Sequence, residues 1–366
     1  MRVIFVTSAP LSVWRGVEQF VDRVARDLAE HGSEVRVLAC VSERQREAEW
    51  RRGKNLRYDY RFIQMPKSLY SFLPILSLGE FSALEQADLY YVTFIDPIFL
   101  LFLSTRRKPI VLGLHGVTNL QGQGMRILEP ALGLLKSRLT IHALNHNQRQ
   151  LFDGLGYKVW HLPSAVPDEL LVQRLGANAS FQVWFASMER FKGADRLIEL
   201  ATLSSRHLSE IKFVVTGAGR MEQDLRNAAA ELGNITIKRG LTQEELVDVF
   251  SSSNLFLSLS RSESFSRAAA EAQVNGLPAV ATPTDGLCDI LTDDSFGLLM
   301  DYEGIRYLDA IRAYYSIWMT DSLAYLNLKK EIARRQRARF SWETMLRKFE
   351  ATLRNLSKHP GIDSTA

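Results

Sequence analysis

The chain has 366 residues, of which 46% are hydrophobic and 23% charged, the composition of a soluble globular protein with room for two domains of ordinary size. Two cysteines, Cys40 and Cys288, exclude a disulfide framework, and no secretory signal segment is visible, so the expected location is the cytoplasm. The net charge of +4 is unevenly spread: residues 1–175 hold 22 Lys and Arg against 17 Asp and Glu, and seven of those basic residues fall between Arg44 and Arg61. The predicted elements begin with an apolar strand, Val3–Thr7, and the loop Ser8–Gly16. An amphipathic helix over Val17–Glu30 follows, with Phe20, Val21, Val24, Ala25 and Leu28 on one stripe. His31-Gly32 ends it, and Glu34–Leu38 is the next strand.

The basic stretch Arg44–Arg61 comes next, then the apolar segment Leu69–Leu76. Side by side they would make a face for an anionic membrane surface; a solvated loop over core residues is the alternative. Phe94–Leu103, the most apolar segment, carries Asp96 and Pro97 and is too short to span a bilayer. Strands over Leu89–Val92, Ile110–Leu114, Ile141–Leu144 and Lys158–His161 complete a βαβ alternation, the pattern of a Rossmann-like parallel sheet. His115 stands just past the second of these.

Pro163-Ser-Ala-Val-Pro167 is turn-rich and reads as a linker. A second alternation follows, with strands over Gln182–Phe185, Lys212–Thr216, Ile235–Lys238, Leu255–Leu259 and Pro278–Ala281. Lys192-Gly193 lies after the first of them, where a lysine sets an ammonium against a diphosphate and a glycine permits the turn behind it. Gly217 and Gly219 end the next strand and let a ligand approach main-chain amides. The most informative stretch is Glu263-Ser-Phe-Ser-Arg-Ala-Ala-Ala-Glu271. Glu263 leaves a buried strand, Ser266 is a candidate N-cap, and Glu271 sits in the early turns of a helix that Gly276 stops. Open parallel sheets bind ligands at the carboxyl ends of their strands, and a helix start offers N–H groups to phosphate. A carboxylate just inside that helix suits the two hydroxyls of a ribose. A capped surface helix with two solvated glutamates is the other reading of the same residues. Gly286, in Thr282–Asp289, marks a close turn, and Phe340–Phe349 reads as a capped amphipathic helix.

In order, these segments resemble glycosyltransferase family 4, retaining enzymes of the GT-B fold. Glu263–Glu271 is similar to the family's Glu-x7-Glu motif, and Ala186–Gly193 to its Gly-Arg-x4-Lys-Gly stretch. Arg15-Gly16-Val17-Glu18 resembles its Gly-Gly-x-Glu loop. The departures are Arg15 for a glycine, Ala186-Ser187 for Gly-Arg, and Leu287 and Asp289 for a glycine and a glutamate. The resemblance covers about residues 1–350. It implies an α/β protein whose Rossmann-like domains face each other across a cleft: an acceptor domain over 1–170, a nucleotide-sugar donor domain over 171–340, and a terminal helix over 341–357 crossing back to the first.

By that resemblance His115, Lys192 and Glu263 are the expected catalytic residues. His115 lines the cleft near the sugar, Lys192 neutralises the departing diphosphate and Glu263 holds sugar hydroxyls. The donor would be held by Gly16, Arg15, Arg190, Gly217, Leu241, Ser264, Phe265, Ser266 and Glu271, with Arg190 or Arg15 in place of the arginine missing at Ser187. The implied reaction moves a hexose-type sugar, with retention, from a nucleotide-sugar to a glycan or lipid-linked acceptor. No Asp-x-Asp triplet stands beside a predicted strand, so no metal and no cofactor is expected, and no nucleic-acid partner. Two alternatives stay open: a nucleotide-sugar 2-epimerase, and a non-catalytic nucleotide-sugar-binding protein on the same fold.

Overall fold

The structure, a computed structural model, describes residues 1–11, 16–41, 56–64, 87–94, 99–100, 103, 105–115, 130, 132–172, 175 and 180–358. It forms two compact units, one of Met1–Pro163 with Met345–Ala366, the other of Ser164–Thr344. The expected boundary at residue 170 therefore lies earlier, at the Pro163 turn. The short turn Asp168–Leu170 goes with the second unit, where the Leu170 carbonyl accepts from Asn275 Nδ2 at 2.8 Å.

The first unit carries a seven-stranded parallel sheet in the order β3-β2-β1-β4-β5-β6-β7. Its strands are β1 Arg2–Thr7, β2 Glu34–Val41, β3 Asp59–Gln64, β4 Leu89–Val92, β5 Ile110–Gly113, β6 Leu139–Ala143 and β7 Lys158–His161. From Val3 onward every β1 side chain is buried, as are all those of β4, β5 and β6. That continuous burial is what a parallel strand covered on both faces requires. Helix α1, Gly16–Glu30, lays the stripe of Phe20, Val21, Val24, Ala25 and Leu28 into this core. Strand β3 was not anticipated, because it lies at the end of the basic run. It is an edge strand whose Asp59 takes Arg36 at 2.5 Å and Arg61 at 3.1 Å. Arg57 is likewise paired with Glu30. The rest of the proposed membrane face, 44–55 and 69–76, lies outside the described residues. Among those described, no helix is long and apolar enough to cross a membrane.

The second unit holds a six-stranded parallel sheet, β10-β9-β8-β11-β12-β13. Its strands are β8 Gln182–Ala186, β9 Lys212–Thr216, β10 Ile235–Lys238, β11 Leu255–Ser258, β12 Ala279–Ala281 and the unanticipated β13 Gly297–Leu299. Around it stand helices over Ala194–His207, Glu222–Leu232, Gln243–Ser252, Arg267–Val274, Asp285–Ile290, Gly304–Thr320 and Ser322–Arg339. The core packs Val183, Phe185, Leu197, Phe213, Val215 and Leu257 at full burial or close to it. In both sheets the order runs outward in two directions from the first strand of the unit. The point of reversal lies between β1 and β4, and between β8 and β11, the kind of position where open parallel sheets bind ligands. The terminal helix, Trp342–Lys358, opens with the Thr344 N–H on Ser341 Oγ, and from Met345 onward it belongs to the first unit.

Candidate functional site

The two loops that leave β8 and β11 stand at the reversal point of the second sheet, and ion pairs tie them together. Lys192 Nζ lies 2.6 Å from Glu263 Oε2, with only about a quarter of the lysine side chain and a tenth of the glutamate exposed. Ser260 Oγ donates to the other carboxylate oxygen at 3.0 Å. The Glu263 carbonyl accepts the Gly286 N–H at 2.9 Å. Both ends of Glu263 are thus held, and its carboxylate already carries a cation and a hydroxyl.

Lys192 ends a short 3-10 turn, Arg190–Lys192, and Gly193 follows at φ +88° before the helix Ala194–His207. A Cβ at Gly193 would fall 2.3 Å from the Leu259 carbonyl oxygen, so the turn needs glycine twice over, for its dihedral and for room. Ahead of the turn Ser187 itself has φ +86°, and its N–H bonds to the Thr216 carbonyl at 2.8 Å. Gly217 backs directly onto Ser187, and Gly219 onto the Met188 carbonyl, where a Cβ would come within 2.3 Å of the oxygen. Gly219 therefore makes room for the neighbouring loop, while Gly217 supplies a backbone φ of +95°.

Glu263 leads through the buried Ser264, Phe265 and Ser266 into the helix Arg267–Val274. Ser266 does not cap that helix as expected: it sits at φ +58°, ψ +78°, and its hydroxyl makes no capping bond. An N-cap hydroxyl reaches the N2 or N3 amide from an extended backbone, and the left-handed conformation turns it elsewhere. The first amides of this helix are therefore not covered by the Ser266 side chain. Glu271, in the second turn, is buried; burial raises its pKa, opposed by Arg267, whose Nη2 donates to Oε1 at 3.1 Å. Arg267 is a site residue that the reading of the sequence passed over. Its spacing of four from Glu271 on one helix was the available signal. Gly286 is explained by close approach: a Cβ would lie 2.5 Å from the Phe265 nitrogen.

Arg190, expected to replace the missing arginine, points largely into solvent, with 80% of its side chain exposed and Asp195 at 3.5 Å. Asp195 is claimed by another residue that was not anticipated, Arg261, which donates to both its oxygens at 2.9 and 2.8 Å and also to the Arg190 carbonyl. These bonds lower the Asp195 pKa. Leu241 is half-buried ahead of a capping box between Thr242 and Glu245, and no bond links it to the ion pair.

Two of the expected residues that the structure describes belong to the first unit. Gly16 is exposed and opens α1. His115 follows β5, its ring 4.5 Å from that of Phe20 on α1, its Nε2 2.7 Å from the Tyr91 hydroxyl on β4. Burial and the neighbouring His142 depress its pKa well below the ordinary histidine value. Arg15 lies outside the described residues.

The sequence matches the family model for glycosyl transferases group 1 over residues 179–329 and that for glycosyltransferase family 4 over residues 14–158. A D-inositol 3-phosphate glycosyltransferase of Arthrobacter sp. (strain FB24) is 32% identical over 152 residues, 39% of this chain and 36% of that protein. Its counterpart in Corynebacterium jeikeium (strain K411) is 34% identical over 167 residues, 43% of this chain and 39% of that one. The chain thus spans under two fifths of the length of these relatives. Among solved structures, Anabaena HepE in complex with UDP-glucose superposes with a TM-score of 0.74 at 16% identity, over 97% of this chain and 100% of that one. A glycosyltransferase from Rickettsia africae reaches 0.76 at 17% identity, over 98% of this chain and 99% of its own. At such identities the likeness is one of fold: two Rossmann-like domains of the GT-B type.

Proposed function

The chain belongs to glycosyltransferase family 4, and on that premise we propose that it is a retaining glycosyltransferase that moves a hexose-type sugar from a nucleotide-sugar to a glycan or lipid-linked acceptor. The observation that carries this reading is the Lys192–Glu263 pair at the reversal point of the second sheet, next to a helix start whose amides the Ser266 hydroxyl does not cap. The likeness to a structure holding UDP-glucose agrees with a nucleotide-sugar donor.

In this reaction the bond between the sugar carbon and the donor phosphate oxygen breaks while one to the acceptor oxygen forms on the same face. The acceptor proton passes to the departing diphosphate. Negative charge gathers on that diphosphate and positive charge on the sugar ring. Lys192 and the amides at the start of the Arg267–Val274 helix stabilise the first, because preset charge costs no reorganisation as the bond breaks. Glu263 takes sugar hydroxyls. Glu271 takes the ribose, with Arg267 donating to one carboxylate oxygen and opposing the rise in pKa that burial causes. Gly16 offers an amide from the opening of α1, and His115 contacts the sugar.

A panel of nucleotide-sugars screened by thermal shift identifies the donor, since a ligand of the folded state raises its melting temperature by mass action. Incubating that donor with candidate acceptors and reading the anomeric configuration of the product by NMR tests the rest. Product with the donor's configuration is expected. An inverted product, or release of a 2-epimer with no transfer to any acceptor, would overturn the proposal.

A further inference from the structure

His115 belongs to a hydrogen-bonded chain in the first unit in which the places of the protons from Leu162 to His115 Nε2 can be worked out. The chain ends on the Leu162 carbonyl, which can only accept. His142 Nε2 lies 2.8 Å from that oxygen and must therefore carry a proton. His142 is 1% exposed, and burial brings its pKa down to about 4, so at neutral pH its Nδ1 is a bare acceptor. The Tyr91 hydroxyl, 2.6 Å from Nδ1, donates there. A hydroxyl has one proton, so towards His115 Nε2, 2.7 Å away, the Tyr91 oxygen accepts. His115 then carries its proton on Nε2 and its lone pair on Nδ1.

The surroundings hold these rings in place. Trp160 stacks on His142 at 4.5 Å and 25°, and Phe349 of the terminal helix packs on Tyr91, His142 and Trp160 at 5.4, 5.9 and 5.1 Å. Gly113 makes the room: a Cβ there would stand 2.4 Å from the Tyr91 oxygen and 2.9 Å from the His115 ring.

We propose that Tyr91 and His142 are positioning residues that hold His115 as a neutral imidazole with its proton on Nε2. This rests on the reading of His115 as a sugar contact, and it gives the chain a purpose there. A sugar ring that gains positive charge as the donor bond breaks is repelled by an imidazolium and tolerates a neutral ring. An aromatic, desolvated chain ending on a carbonyl keeps the ring neutral and keeps it still.

The test has two readouts on the full chain. Long-range nitrogen–proton NMR of histidine-labelled protein, with His115 assigned by His115→Gln, is expected to give one tautomer protonated on Nε2, and Tyr91→Phe is expected to turn it into a mixture. In transfer assays Tyr91→Phe should lower kcat about tenfold, the scale of losing a group that orients a functional histidine, with KM for the donor moving less than about twofold. A wild-type His115 protonated on Nδ1, or charged at neutral pH, overturns the inference; so does an unaltered kcat in Tyr91→Phe. Absence of transfer by the wild type would instead defeat the proposed function, and the tautomer spectrum, recorded without substrate, would still decide whether the chain holds His115 as described.

Discussion

Acidification should loosen the first unit before the carboxylates titrate, and His142 sets the size of the effect. Its pKa falls from 6.5 to about 4 on folding, chiefly because burial excludes the charged ring, with the Leu162 carbonyl opposing and His161 adding to the fall. Between those values the unfolded chain binds a proton that the native state refuses, so stability rises with pH and is lost as pH falls from the unfolded value towards the folded one. From about pH 7.5 to about pH 5 the loss works out at about 2 kcal/mol, approaching about 3 kcal/mol at lower pH. His115 is depressed in the same direction and adds to it. Two linked units need not unfold together, so a local probe is required. Native-state hydrogen exchange of peptides covering Leu139–Ala143, corrected for the intrinsic pH dependence of exchange, reports the opening free energy of the strand that carries His142. The wild type should lose about 2 kcal/mol over that interval and His142→Gln markedly less. Equal slopes in the two proteins would show that His142 titrates normally, and the proton assignments built on its neutrality would fall with it.

The other predictions concern the second unit. Glu271→Ala should weaken nucleotide-sugar binding by about 1.5–3 kcal/mol in calorimetry, the worth of hydrogen bonds to a charged group; unchanged affinity would remove the ribose role. Lys192→Ala should lower kcat more than donor affinity, since phosphate charge grows in the transition state. A raised KM with kcat intact would make Lys192 a ground-state contact only. Ser266→Gly should raise the melting temperature, because glycine adopts φ +58° without the roughly 1 kcal/mol that a Cβ costs there. A lower melting temperature would mean that the serine hydroxyl supports the helix after all.

Where one physical signal dominates a segment, the sequence was enough to read it. Strands buried on both faces, such as Ile110–Gly113 and Leu255–Ser258, are unbroken apolar runs, and the stripe of α1 has the period of a helix. The two strands that escaped notice carry weak signals of different kinds. In β3, Asp59 and Arg61 are exposed edge residues at the end of a charge run, so the segment reads as solvated loop. In β13, three residues are too few to show any period, and what makes the strand is its pairing with Ala279–Ala281. The boundary at Pro163 was visible as a turn, but nothing in the following residues announces that Asp168–Leu170 belongs to the second unit. That follows from Asn275, more than a hundred positions away.

The site divides along the same line. Motif spacing pointed to the loops after β8 and β11, which the structure brings together, because spacing along a strand–loop–helix is local. It could not assign partners, because those come from loops distant in the chain. The exchange of arginines illustrates this. With no arginine at Ser187, the sequence offered Arg190 as the nearest cation, yet proximity in the chain is a poor guide on a 3-10 turn that points its first side chain into water. The arginines that the structure ties into these loops are Arg261, held by Asp195 across 66 positions, and Arg267, one helical turn from Glu271. Arg261 already has its carboxylate in a bidentate pair, which makes it a clamp between the loops after β8 and β11 rather than a free charge for phosphate. Arg267 is paired with Glu271, the group proposed to hold the ribose. Among the described residues, the cation that remains for the diphosphate in the proposed reaction is therefore Lys192. Its ammonium is held at 2.6 Å by Glu263, and it must loosen from that carboxylate, or share it, when the donor enters.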